Sequence, residues 1–155
     1  MAVIARKDPI AESVKEMSSD PISGVSYVNE KTLVKDLTAG AQNAFAFAIQ
    51  NPEIVDCLIT RVIIDLITAG GTASAVLDVD TVDGATDTGD DIIDGLDINT
   101  TGTFDSLKNP GTNGDEKPVK WGAKGSATDY LTGKILAAAA ASLVGKVIVK
   151  YVPLS

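Results

Sequence analysis

Residues 57–68 read CLITRVIIDLIT, the longest apolar stretch of the chain that is crowded with β-branched residues. Successive side chains of a strand alternate between its two faces. One face then holds Leu58, Thr60, Val62, Ile64 and Leu66, and the other holds Cys57, Ile59, Arg61, Ile63, Asp65 and Ile67. The first face predicts core. The second face combines isoleucines with a cation and an anion, Arg61 and Asp65, which predicts a surface half buried against another segment or another subunit.

The residues after this run carry the signal of a hairpin. Ala69-Gly70-Gly71 ends the run, and a new alternating stretch extends from Ala73 to Val82. A glycine turn between two alternating stretches predicts that they pair as neighbouring antiparallel strands.

The rest of the chain continues the β pattern. Further strands are predicted at residues 32–37, 44–50, 119–121, 128–136 and 143–152, with a turn leading into a strand at 92–98. Residues 83–91, 100–104 and 108–114 are predicted to be loop, and the alanines of 137–141 a tight connection between antiparallel strands. Residues 31–155 are therefore expected to form one all-β domain, a β-sandwich or jelly roll of about eight short antiparallel strands.

The stretch from Ala44 to Gln50 alternates alanines with large apolar residues. Phe45, Phe47 and Ile49 are predicted to face the core, which leaves a second face made of Ala44, Ala46 and Ala48. Such a face permits close approach of another layer, either by tight sheet packing or by a flat intermolecular contact.

Residues 1–30 differ from the rest of the chain. They hold breaks at Asp8-Pro9, Asp20-Pro21 and Ser23-Gly24 and few large apolar groups, so they cannot form a core alone. They are expected to be an N-terminal arm, either a frayed leader or a segment that becomes ordered on a neighbouring protein.

Composition excludes several classes of function. The chain has no histidine and a single cysteine, Cys57, so zinc sites, Ser-His triads and internal disulfides are not expected, and Cys57 should be a small buried side chain. A net charge of −8 argues against binding nucleic acid. The apolar stretches are too short to span a membrane, and the charged residues at 6–8 interrupt any secretory signal, so the protein is expected to be soluble and made in a cytoplasm.

Charge is unevenly distributed along the sequence. Residues 62–107 contain ten aspartates and no Lys or Arg, whereas residues 108–155 contain seven lysines and three acids. These halves are either separate solvated faces or surfaces that meet head to tail in an oligomer.

The aspartate series at 78–97 is the densest chemical feature. Its spacing departs from a calcium-binding EF-hand loop, because the third acid is late and the end position is Gly89. Exposed strand and turn carboxylates are expected, with a weak calcium site as the alternative. Nothing in the sequence supplies the other half of a catalytic site, so neither an enzyme, a cofactor nor a small-molecule substrate is predicted.

Four groups of residues share one pattern of strands and turns: residues 58–66, 92–98 to Phe104-Asp105, Gly111 to Gly114, and Tyr130 to Gly133 with Leu143 to Val147. Together they resemble the small β-rich virion proteins of tailed bacteriophages, including capsid decoration (cement) and head-fibre-type proteins. The resemblance covers about residues 32–153 and consists of patterns of strands and turns.

The resemblance implies a jelly-roll or sandwich protomer, commonly trimeric, that docks on the outside of a capsid and clamps neighbouring major capsid proteins. Its location would be the capsid surface of a virion. The partner-binding candidates are Ile4, Ile10, Val14 and Ile22 of the arm, the alanines Ala44, Ala46 and Ala48, and the central-strand residues Arg61 and Asp65.

Two other functions remain open at this point. One is a tail, baseplate or fibre module that recognises a host carbohydrate, for which Trp121 and Tyr27 are the candidate exposed aromatics. The other is a β-sandwich adhesion module from outside viruses, which would normally carry an export signal.

Overall fold

Nine β-strands form two antiparallel sheets in the computed structural model, which describes residues 30–154. The strands are β1 (Lys31–Asp36), β2 (Phe45–Gln50), β3 (Cys57–Thr68), β4 (Val76–Val82), β5 (Ile93–Asp97), β6 (Gly102–Asp105), β7 (Val119–Trp121), β8 (Tyr130–Leu136) and β9 (Val144–Pro153). The described residues contain no helix. The prediction of an all-β fold is confirmed.

The strand order is that of a jelly roll. The first sheet has the order β1-β9-β3-β6, with β7 also paired to β3, and the second sheet has the order β2-β8-β4-β5. Without β7, the pairs nest as β4 with β5, β3 with β6, β2 with β8 and β1 with β9. These nested pairs form one long antiparallel hairpin whose turn lies between β4 and β5. The hairpin wraps around the core, which brings β3 beside β9 and β4 beside β8.

The hydrophobic core lies between the two sheets. The first sheet contributes alternate residues of β3 and β9, and the second sheet contributes alternate residues of β4 and β8. Its fully buried large side chains include Val62, Ile64, Leu77, Val79, Leu131, Ile135, Val147 and Val149. Because β3 pairs with β9 on one side and with β6 and β7 on the other, the twelve-residue run is the centre of the first sheet.

The predicted faces of β3 are correct for only part of the strand. Val62, Ile64 and Leu66 are buried as expected, but Cys57 and Ile59 are buried too. A bulge between Ile59 and Arg61 in the pairing with β9 shifts the alternation by one residue, so the face assignment before the bulge is wrong. Cys57 itself is a small buried side chain, as predicted, and burial raises the pKa of its thiol.

The predicted hairpin of β3 and β4 is wrong, because these strands belong to different sheets. Gly70 donates its backbone N–H to Ile98 and accepts a hydrogen bond from Ser142 N–H, at 2.8 and 3.1 Å. The glycine turn is therefore held by other loops while the chain crosses between sheets.

Two other local predictions need correction. Residues 102–105, predicted to be loop, form β6 against β3. The alanines of 137–141 do not form a helix, but the strands they connect, β8 and β9, lie in different sheets and do not pair.

The edge strand β1 directs two lysines inward. Lys31 and Lys35 lie opposite Tyr151 and Val147, whose side chains are buried. Lys35 Nζ donates to the carbonyl oxygen of Ala48 on β2 at 2.7 Å, and Lys31 Nζ pairs with the Glu53 carboxylate at 2.6 Å. Polar contacts thus close this side of the sandwich between the edges β1 and β2.

Candidate functional site

A row of apolar side chains crosses the outer face of the first sheet. Val34 lies opposite Ile148, and Ile148 lies opposite Ile63, so the three occupy neighbouring positions on β1, β9 and β3. Val34 is 53% exposed, and the other two are partly exposed. We refer to these three residues as the apolar row.

Charged and polar side chains border the apolar row on both sides. Asp36 and Lys146 form an ion pair of 2.5 Å, and Asp65 lies opposite Lys146 on the next strand. Beyond the other side of the row, Arg61 Nε lies 3.2 Å from the Asp105 carboxylate. An apolar centre with a polar border is the arrangement of a protein–protein contact surface.

The two central-strand candidates, Arg61 and Asp65, therefore lie on the same outer face, and both are partly exposed. The Asp65 carboxylate accepts a hydrogen bond of 2.9 Å from Thr103 Oγ1 on β6. Within residues 30–154, this face of β3 carries no second layer of strands.

Sequence reasoning placed Ile63 and Ile67 on this face but missed Val34, Val144 and Ile148. Five large hydrophobic side chains are exposed in the described part of the chain, and three of them, Val34, Ile67 and Val144, lie on the outer side of the first sheet. The alternation of β9 was the available signal, because it places Val144 and Ile148 on the same side as Lys146 and Lys150.

The three alanines Ala44, Ala46 and Ala48 do not form one flat face. A bulge between Phe45 and Phe47 inserts Ala46 as an extra residue, and Ala46 is fully buried in the core. The expected outward position of Ala46 is therefore wrong. Ala44 and Ala48 are partly exposed, so a surface made only of alanines is lost.

The aspartates at 78–97 are exposed or partly exposed: Asp83, Asp87, Asp91 and Asp97 are exposed, and Asp78, Asp80, Asp90 and Asp94 are partly exposed. The loop 83–91 lies over the second sheet, where Thr132 Oγ1 donates to the carbonyl oxygen of Asp87 at 3.0 Å and Gly89 packs against the Asp80 side chain. Burial, opposed by a backbone hydrogen bond and aided by the charge of Asp91, raises the pKa of Asp80 to about 6. Burial also raises the pKa of Asp78.

No metal site is formed by the described residues. Among residues 30–154, no three His, Cys, Asp or Glu side chains come together to hold an ion. The carboxylates of this region instead bind backbone: Asp78 Oδ1 accepts from Gly95 N–H, Asp97 Oδ1 from Asn99 N–H, and Asp94 Oδ2 from Asn113 N–H.

A shallow, open cleft of about 290 Å³ lies between β5 and the segment that contains β6. Its lining includes Asp94, Asp97, Phe104 and Asn109. Because the Asp97 and Asp94 carboxylates already accept the backbone N–H groups of Asn99 and Asn113, the cleft offers little free hydrogen-bonding capacity to a small molecule.

Trp121 is not an exposed aromatic. It is fully buried, its ring meets that of Tyr151 edge-on at 5.6 Å, and its Nε1–H donates to the carbonyl oxygen of Asp129 at 2.9 Å. The other aromatic candidate, Tyr27, lies outside the described residues. Trp121 is therefore unable to stack against a sugar ring at the surface.

The four arm candidates, Ile4, Ile10, Val14 and Ile22, also lie outside the described residues, as does most of the proposed arm 1–30. In the part of the chain that the structure describes, no helix has the length and apolar character to cross a membrane.

Neither a family model, a curated protein nor a solved structure matches this chain.

Proposed function

We propose that this protein is a structural virion component that binds the outer surface of a phage capsid and stabilises the lattice, working as a trimer. Its partners are the major capsid protein and its own copies. The protein acts by contact alone, without a catalytic step, a cofactor or nucleic acid, and it resides on the capsid surface.

The observation that carries this proposal is the outer face of the first sheet. The apolar row places Val34, Ile63 and Ile148 side by side, and paired charges border it. Four strands spaced about 4.8 Å apart make a surface about 15–20 Å across, which suits the flat exterior of a larger assembly. Exposed apolar groups with a polar border are typical of protein contact sites.

The jelly-roll body suits a mechanical role. Nearly all large apolar side chains of β3, β4, β8 and β9 that face inward are buried, and hydrogen-bonded strands connect the sheet from edge to edge. Such a body transmits load between two attached surfaces without unfolding locally.

Addition of purified protein to undecorated capsids tests the proposal. The wild type should co-sediment with capsids and raise their melting temperature, whereas Val34→Asp should lose at least tenfold in attachment, because it places a charge in the apolar row. Thr88→Asp, at an exposed position of the loop 83–91, is the matched control and should bind as the wild type does.

Circular dichroism on both variants checks that the fold is kept. Failure of the wild type to bind any capsid, together with binding to host cells, would favour the carbohydrate-recognising tail or fibre module instead. If Val34→Asp bound capsids as well as the wild type does, the apolar row would not be part of the contact.

A further inference from the structure

One end of the sandwich carries no charge. The loops 37–44, 69–75, 98–101 and 137–143 contain no Asp, Glu, Lys or Arg. Backbone hydrogen bonds gather these loops together: Gly40 and Ala140 exchange two of them, at 3.2 and 2.8 Å, and Gly70 binds both Ile98 and Ser142. We call this surface the uncharged end.

The opposite end has the contrary composition. It is built from the loops 51–56, 83–92, 106–118 and 122–129, which contain nine acids and three lysines. They are Glu53, Asp56, Asp83, Asp87, Asp90, Asp91, Asp115, Glu116 and Asp129, with Lys108, Lys117 and Lys124. We call this surface the charged end.

Exposed apolar side chains stand at the border of the uncharged end. Ile67 is 59% exposed and Val144 is 50% exposed, and they lie on the neighbouring strands β3 and β9, where Thr68 is opposite Val144. The exposed residues of the loops themselves are small or neutral, such as Ala41, Ala73 and Ala141. Depletion of charge at the centre of a surface, with apolar side chains nearby, is characteristic of protein contacts.

The same end holds a buried acceptor with no donor. Asn99 Nδ2 donates to the carbonyl oxygen of Ala75 at 3.1 Å, but Asn99 Oδ1 is buried and receives no hydrogen bond from the described residues. Such acceptors are rare in folded proteins, and this one lies in a loop of the uncharged end.

We propose that the uncharged end is the surface through which copies of this chain bind one another. The protein has a net charge of −8, so two copies repel when they approach through most of their surface, and most strongly through the charged end. At the uncharged end a second copy meets no charged residue on the loops, and the carboxylate of Asp97 at its border already accepts hydrogen bonds from Asn99 N–H and Thr100 Oγ1. The inference rests on the proposed oligomer and names the surface that forms it.

Light scattering on the full chain tests this assignment with three matched alanine-to-glutamate variants. Ala73→Glu and Ala141→Glu place a carboxylate on exposed loops of the uncharged end, and Ala85→Glu places the same group on an exposed loop of the charged end. In an oligomer of the wild type, whose chain mass is 16.0 kDa, the first two variants should weaken association at least tenfold and the third should not. Circular dichroism verifies the fold of each variant.

Two results would overturn the assignment, and they differ in whether the oligomer itself is still supported. If the wild type is an oligomer and Ala73→Glu and Ala141→Glu leave its mass unchanged, the uncharged end is not the contact surface, although the oligomer exists. If the wild type has a mass of 16.0 kDa at every concentration, neither the oligomer nor its contact surface exists. Capsid co-sedimentation of the same samples then tests the proposed function separately.

Discussion

The charged end and the uncharged end of the sandwich differ in the side chains that join their loops. At the charged end, buried side chains bridge the loops: Asn51 Nδ2 donates to the carbonyl oxygens of Trp121 and Gly122, and Trp121 Nε1–H donates to that of Asp129. Backbone hydrogen bonds join loops at both ends, as from Asn51 N–H to the Asp129 carbonyl oxygen at the charged end. At the uncharged end, Asn99 Nδ2 donates to the carbonyl oxygen of Ala75, and Gly40 and Ala140 pair backbone to backbone. Small residues are what allow that close approach, and they also leave the surface without charge.

Loss of the largest bridging side chain should have the largest effect. Trp121→Ala removes a fully buried ring and its hydrogen bond to Asp129, so the free energy of unfolding should fall by about 3–5 kcal/mol. Chemical denaturation followed by circular dichroism measures the change without depending on the lost fluorophore.

Trp121→Phe is the control for packing. It keeps an aromatic ring against Tyr151 and loses the Nε1–H donor, so its cost should be clearly smaller. If Trp121→Ala cost less than about 1 kcal/mol, buried side chains would not be what holds the charged end.

An added methyl group should disturb the uncharged end to a lesser degree. A Cβ at Gly70 would lie 2.9 Å from the Cβ of Ala140, so Gly70→Ala should destabilise the protein by about 1–3 kcal/mol. Thermal unfolding of this variant and of the double variant with Ala140→Gly gives a direct test, because removal of the opposing methyl should restore part of the loss. Additive effects of the two substitutions would contradict close approach as the cause.

The smallest effect concerns pH and the loop over the second sheet. Because the pKa of Asp80 is raised from 3.8 to about 6, the folded state favours the protonated carboxyl. The contribution of Asp80 to the free energy of unfolding is therefore fully present below pH 3.8 and is lost as the pH rises through about 6. Asp80→Asn should therefore stabilise the protein at pH 7 by about 1–2 kcal/mol, after allowance for partial exposure, and change little at pH 4.

Melting temperatures from pH 4 to 7 measure this difference. Asp83→Asn, an exposed position of the same loop, controls for the change in net charge. If Asp80→Asn raised the melting temperature equally at pH 4 and pH 7, ionisation of Asp80 would not be the cause.

The sequence predicted most of the strands, although not β6. The strand predicted at 143–152 forms β9, with Val147, Val149 and Tyr151 buried on its inner side and Leu143 buried just before it, and Cys57 to Thr68 has the predicted bounds. Local apolar periodicity determines burial within one strand, and so it can be read directly. The two-sheet architecture followed from many short strands with regular turns.

Pairing and faces were less predictable. The glycines at 70 and 71 mark a change of direction equally well for a hairpin and for a crossing between sheets, and only the partners of β3 and β4 distinguish the two. The bulges at Ala46 and after Ile59 each invert the alternation, and nothing in the local sequence marks their positions.

The surfaces were predictable to an intermediate degree. Arg61 and Asp65 lie on the outer face of the first sheet, but the apolar row combines residues from three strands whose neighbours in space are distant in sequence. The uncharged end was missed for the same reason, since its four loops are separated in sequence by residues 45–68, 76–97 and 102–136 and become one surface only through the jelly-roll wrapping.

The inward lysines of β1 have a consequence for behaviour at high concentration. An open strand edge is a template on which further strands add, and it is the usual origin of fibrillar aggregates. The Lys35 ammonium donates a hydrogen bond to the Ala48 carbonyl oxygen on the neighbouring edge strand β2. This hydrogen bond must break before another strand can pair there. Addition of a further strand at this edge is therefore disfavoured even at high protein concentration.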